Sequence, residues 1–314
     1  MSDNQQRPRV VIAGGSGRLG RALAAALAER FEVRVLTTSA VSGGGQWQCD
    51  LTSIAEAEVA LASAHTVVFL ARASRSPARL MQGALSDLDL LMADSVARAA
   101  ARVGAQRVVF FACGEHDPRE AILRTGGVAL SVLRGGGPDP VAALVELVSA
   151  PGTEDRVLPA WSAPEDPPSA PPVTPRVWSI QRYEKQGALS AEALARAYFE
   201  WLPTATPLTR VEQVERTWRI IGAGVPVLVF RHSPGRSEPD CYVMEVVGGA
   251  LVGSSRGRFE FRVLGDGSVL VALIDFAPSL PWPIYRLTQA NAHARVMRSF
   301  GKALEAKSAA LGAA

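Results

Sequence analysis

From residue 9 to residue 150, short apolar runs alternate with segments whose apolar positions recur at helical spacing. Arg9-Val-Val-Ile-Ala13 reads as a first strand, and Leu19, Leu23 and Leu27 mark the apolar face of a helix over 18–30. Strands follow at 32–36, 66–70, 107–111 and 129–133, with helical patterns at 54–63 and 85–103 between them. Strands separated by helices build βαβ units, and their nearly continuous apolar character predicts a parallel sheet covered on both faces.

The grammar changes beyond residue 156. Seven prolines fall among the seventeen residues from Pro159 to Pro175. Proline lacks a backbone donor and blocks helix, so 157–180 reads as an extended linker. A helical pattern at 191–202 precedes apolar runs at 226–231, 241–252, 258–264 and 269–276, and Gly265-Asp266-Gly267 is a tight hairpin signal. One long helix is expected over 284–311, with His293, Met297, Phe300 and Leu304 on one face. The expected architecture is α/β: a Rossmann-like doubly wound parallel sheet over 1–156, the linker, and a smaller α+β domain of antiparallel strands and a long C-terminal helix over 181–314.

Composition narrows the function classes. The chain has 314 residues, of which 48% are hydrophobic and 20% charged, enough for two cores and unlike a disordered, collagenous or disulfide-stapled chain. No apolar run approaches the ~18 uncharged residues that span a bilayer. The polar stretch from Met1 to Arg9 leads straight into a strand without a signal-peptide pattern. Cys49, Cys113 and Cys241 lie far apart, which fits reduced thiols and a cytoplasmic location. The net charge is +3, and the 33 basic residues, only three of them lysine, are scattered, which argues against a nucleic-acid partner. Four separated histidines without paired cysteines argue against a metal.

Candidate chemistry begins at Gly14-Gly15-Ser16-Gly17-Arg18-Leu19-Gly20, between the first strand and the first helix. Gly14, Gly17 and Gly20 allow a tight turn whose amides, with those of Ser16, Arg18 and Leu19, meet a pyrophosphate at the helix N-terminus. The second strand ends Leu36-Thr37-Thr38-Ser39, without the acid that accepts from ribose hydroxyls. Arg18 and the hydroxyls of Thr37 and Thr38 therefore favour NADP over NAD, while strand alternation turns Arg34 away.

On these residues, together with Cys49-Asp-Leu-Thr52, Val67-Val-Phe-Leu-Ala71 and Arg107-Val-Val-Phe-Phe-Ala-Cys113, residues 8–150 resemble the atypical, NmrA-like branch of the NAD(P)H-binding short-chain dehydrogenase/reductases. The resemblance implies that Asp50 and Leu51 contact adenine and that Leu70, Ala71 and Arg72 line the cofactor. It also implies a Tyr paired with a Lys four residues along, and a Ser after the fifth strand. Cys113 stands at the Ser position; no tyrosine precedes Tyr183 and no lysine precedes Lys185.

Three readings stay open: non-redox chemistry such as cyclisation or isomerisation on an apolar small molecule, reduction with another acid, and a non-enzymatic NADP-sensing regulator. For an acid or nucleophile the candidates are His116 and Cys113 at the carboxyl edge of the sheet, each with a plain alternative as loop surface or core. The second half resembles helix-grip (START-like) proteins, which enclose apolar ligands. There Asp275 shares a strand face with Val269, Val271 and Leu273, and Arg258, Arg262, Arg286 or His293 is its expected partner.

Overall fold

The computed structural model describes residues 7–38, 45–74, 79–112, 114–135, 137, 139–158, 176–184, 189–254 and 257–312. It forms two compact units, one from 1–74 and 88–169, the other from 75–87 and 170–314.

In the first unit the apolar runs become strands β1 (Arg9–Ala13), β2 (Glu32–Thr37), β3 (Gln46–Gln48) and β4 (Thr66–Phe69), interleaved with helices α1 (Arg18–Leu27) and α2 (Ile54–Leu61). After β5 (Arg79–Gln82), which belongs to the second unit, come α3 (Leu85–Arg102), β6 (Arg107–Ala112), α4 (Pro118–Thr125), β7 (Ala129–Arg134), α5 (Pro140–Ser149) and β8 (Arg156–Val157). The sheet order is β3-β2-β1-β4-β6-β7-β8, parallel at every pairing. This is the expected Rossmann-like doubly wound sheet. Strand order reverses between β1 and β4, the place where ligands of open α/β sheets bind.

One face of that sheet is closed by α1 and α5. Val10, Ile12, Val68, Val109 and Leu133 meet Leu23, Leu27, Leu144 and Leu147 in one apolar cluster, with exposures of zero. Helix α5 follows its own Asp-Pro start: Asp139 accepts from Ala142 N, and proline fills the first helical position.

The second unit is as large as the first. Its elements are β5, β9 (Arg176–Tyr183), α6 (Ala191–Ala205), β10 (Thr209–Val214), β11 (Thr217–Gly222), β12 (Val225–His232), β13 (Cys241–Gly248), β14 (Val252–Ser254), β15 (Arg258–Val263), β16 (Val269–Pro278), α7 (Trp282–Leu287) and α8 (Gln289–Gly312). A nine-stranded sheet runs β10-β11-β12-β13-β15-β16-β9-β5, with β14 beside β16. Every pairing is antiparallel except β5 with β9.

Three expectations need correction. The stretch 157–180 does not remain a linker to its end, because Arg176–Tyr183 pairs with β16 and supplies a central strand; residues 159–175 lie outside the described residues. Residues 79–87 belong to the second unit and furnish β5. The long terminal helix breaks at Thr288, whose hydroxyl donates back to Ile284 O at 2.6 Å and competes with the helical ladder.

The interior of the second unit is filled by rings. Phe199 stacks on Trp218 with centroids 4.6 Å apart, and Tyr198 meets Phe259, Phe261 and Phe300 at 5.1–5.7 Å. These separations are those of packed aromatic cores.

Candidate functional site

The site candidate is the carboxyl edge of β1, β2 and β4. Its floor is the turn from Gly14 to Gly17. Gly14 has φ +87°, and a Cβ there would lie 2.5 Å from Ala71 N and 2.6 Å from Ala71 Cα. A Cβ at Gly20 would lie 2.3 Å from Gly15 Cα. Glycine at these positions lets the turn close on itself and on the loop after β4, while Leu70 N donates to Ala13 O at 2.8 Å.

Gly17 is the N-cap of α1 and has no side chain to meet the helix's first amides. Ser16 and Arg18 are exposed and Leu19 is half-buried beside them. This arrangement fits a dinucleotide pyrophosphate: a bare helix N-terminus, a turn made narrow by glycine, and a wall of backbone at Ala71. Gly14, Ser16, Gly17, Arg18, Leu19 and Gly20 are the residues that would hold it.

Around the turn, the other expected contacts are placed as follows. Thr37 is buried and its carbonyl accepts from Cys49 N at 2.9 Å; Thr38 is exposed at the strand end. Asp50 forms a tight turn, its Oδ1 accepting from Thr52 N at 3.0 Å and Thr52 Oγ1 at 2.6 Å, and Leu51 is buried. Arg34 donates to Ala60 O at 2.8 Å and lies over the Trp47 ring at 4.7 Å. Leu70 is half-buried, Ala71 buried and Arg72 exposed. Cys49 is buried, and burial pushes its thiol up to about 12, which keeps it an inert thiol.

The proposed acid–base residues are placed as follows. His116 is exposed on the loop before α4. Cys113 lies outside the described residues. Asp275 belongs to the second unit, and its expected partners are corrected. Register shifts between Leu273 and Phe276, and Asp275 sits in that bulge with φ +53°. The irregularity takes it out of simple alternation, and Oδ1 accepts from Trp178 Nε1 at 2.8 Å. Arg258 and Arg262 instead grip buried Glu260 at 2.6 and 2.5 Å. His293 Nε2 meets Ser179 Oγ at 2.9 Å, and burial lowers its pKa to about 4. The tyrosines of the second unit are engaged in packing: burial raises all four, and Tyr183 donates to Met297 O at 2.8 Å.

One group was missed in the sequence. Arg119, 3% exposed, turns inward from the first turn of α4. Its Nε and Nη2 bind both oxygens of Asp117 at 2.9 and 2.6 Å, and Nη1 donates to Ala71 O at 2.8 Å. Asp89 Oδ1 lies 4.0 Å from Nη1 and accepts from Ala73 N at 2.6 Å. The guanidinium carbon stands 5.0 Å from the Phe110 ring centroid and 5.9 Å from that of Phe69. The sequence signal was Asp117-Pro118, a helix start whose carboxylate can hold an arginine two residues on.

Residues 10–123 match the family model described as Epimerase, the NAD dependent epimerase/dehydratase family. Over nearly its whole length the chain is similar to "Auxiliary protein GraX" of Staphylococcus aureus, 24% identical over 308 residues that cover 94% of this chain and 92% of that protein. Solved structures with a likeness include a nucleoside-diphosphate-sugar epimerase from Staphylococcus aureus, 15% identical, covering 48% of this chain and 70% of that one at TM-score 0.38. Another is Agrobacterium tumefaciens uronate dehydrogenase, 17% identical, covering 48% and 75% at TM-score 0.37. The first unit thus has a Rossmann-like parallel fold, and its residues 10–123 are similar to the NAD dependent epimerase/dehydratase family.

Proposed function

We propose that this protein binds NADP(H) in its first unit and serves as a nucleotide-responsive auxiliary protein that transfers no hydride. The observation that carries this is a glycine turn opening α1 in a chain with no Tyr–Lys relay before residue 183: residues 1–182 contain neither tyrosine nor lysine. The pyrophosphate would rest on the α1 N-terminus, with Arg18, Thr37 and Thr38 toward a 2′-phosphate and Leu70, Ala71 and Arg72 along the nicotinamide half. When bound, such a cofactor supplies hydride chemistry in reductases; this chain's residues bind and orient it.

Turnover of an apolar substrate is the less favoured reading. It requires a chamber in the second unit, whose described interior is occupied by rings in mutual contact, and an acid or base near the nicotinamide. His116 is exposed, and His293 and Asp275 are held by Ser179 and Trp178. The full-length likeness to a protein named as auxiliary supports the non-enzymatic reading.

The test is titration calorimetry with NADPH, NADP⁺ and NADH on the wild type and on Gly14→Ala. The added Cβ meets Ala71 backbone at a left-handed φ, at a cost of about 2–3 kcal/mol. Saturable NADPH binding, lost in Gly14→Ala, with no cofactor consumed on incubation with cell-extract metabolites, is expected. Sustained NADPH oxidation by those metabolites would overturn the non-enzymatic reading. Absence of any nucleotide binding would overturn the whole.

A further inference from the structure

A buried arginine is costly to desolvate, and Arg119 does more than pair with its capping carboxylate. Its Nη1 also donates to the carbonyl of Ala71 at 2.8 Å. Ala71 is the residue whose backbone the glycine turn touches: N and Cα lie 2.5 and 2.6 Å from a Cβ built on Gly14. Two residues on, Ala73 N donates to Asp89 Oδ1 at 2.6 Å, and that carboxylate lies 4.0 Å from Arg119 Nη1. Arg119, Asp117 and Asp89 thus grip the loop after β4 by one carbonyl and one amide, while Leu70 N ties its start to Ala13 O. The rings of Phe69 and Phe110 pack beneath the guanidinium and hold its plane.

We infer that Arg119 is a positioning residue for the nicotinamide half of the bound dinucleotide, acting through the Ala71–Ala73 backbone rather than by touching the ligand. This rests on the nucleotide-binding reading above and adds a division of labour to it. The α1 N-terminus takes the pyrophosphate, and the Arg119 clamp fixes the opposite wall. A wall held in advance spares the ligand the entropy of ordering it, so the clamp contributes affinity only for ligands long enough to reach it.

That dependence on ligand length separates positioning from general structural support. NADPH spans both halves; ADP carries the adenosine and diphosphate alone. In Arg119→Met, calorimetry is expected to show NADPH affinity falling ~10-fold while ADP affinity stays within ~2-fold. Arg119→Lys, which keeps the charge but can reach Asp117 or Ala71 O with a single ammonium, should fall between. Where the buried carboxylates prevent Arg119→Met from folding, Ala73→Pro removes the loop's amide donor and fixes φ there while leaving every charge in place. It should show the same selective loss. An equal loss for NADPH and ADP, or no loss for either, in a folded variant would overturn the positioning role. If the unsubstituted protein binds ADP and NADPH not at all, it is the nucleotide reading that fails, and the two failures are distinguishable before any variant is made.

Discussion

The two units differ in how their helix starts and buried charges are met. In the second, several polar groups pair within the unit. Glu260 lies between Arg258 and Arg262, His293 meets Ser179, the Trp178 indole donates to Asp275, and Ser190 caps α6 by accepting from Ala193 N. In the first, Ser53, Asp117 and Asp139 cap α2, α4 and α5 with their side chains, yet α1 opens on Gly17, which has none. A helix N-terminus carries a partial positive charge and amides without intrahelical acceptors. That difference supports the proposed anion site at α1.

The largest break in this comparison is expected at Glu260. Both arginines beside it are buried, and burial raises its carboxyl while the two guanidiniums, by charge and hydrogen bonds, bring the net pKa below the usual carboxylate range. Glu260→Gln removes the carboxylate that both buried guanidiniums grip, and removing one partner of a buried pair costs about 3–5 kcal/mol. Urea unfolding followed by tryptophan fluorescence reads this mostly from the second unit, because four of the six tryptophans, Trp178, Trp201, Trp218 and Trp282, belong to it. A loss below about 1 kcal/mol would mean that the arginines find other acceptors and that the unit is not closed as described.

A somewhat smaller effect is expected from pH, again in the second unit. His293 is neutral in the fold down to about 4, whereas an unfolded histidine takes its proton near 6.5. The unfolded state therefore binds more protons between these values, and stability must fall as pH drops through that window. Stability from this group is complete above about pH 6.5 and declines by about 3 kcal/mol toward pH 4. His293→Gln, which can still donate to Ser179, should remove that slope. An unchanged slope would show that His293 takes up its proton alike in the folded and unfolded states.

How far each region was legible follows from the kind of information it uses. The glycine turn and the parallel strands are written locally: Gly14 is demanded by its own φ and by Ala71, and β1, β4 and β6 are runs of apolar residues. The β10–β11 hairpin was missed because its outward positions, Arg210, Glu212 and Arg219, break the apolar pattern, while Trp218, Ile220 and Ile221 supply its burial. Strand β5 was missed for a different reason. It pairs with β9 nearly a hundred residues away, and Gly83 allows the approach, since a Cβ there would overlap Ile180 O. No local pattern records such a partner. Arg119 was not singled out because an arginine's burial is decided by Asp117 and Asp89 around it, and Asp275 was assigned the wrong partner because a bulge cannot be read from alternation.

The smallest expected effect bears most directly on what distinguishes the two units. Gly17 has φ −69° and ψ 170°, extended backbone that serine adopts without strain. Gly17→Ser gives α1 the kind of cap that Ser190 gives α6, its hydroxyl accepting from the amide of Leu19 or Gly20. The gain over glycine is about a few tenths of a kcal/mol, readable as a slight rise in thermal midpoint. The same amides are those assigned to the pyrophosphate, so a ligand must displace the new cap before it binds. NADPH affinity should fall by ~3–10-fold while the helix becomes more stable, opposite signs from one added hydroxyl. Equal or tighter NADPH binding with a stabilised helix would move the anion site away from α1 and erase the asymmetry between the two units.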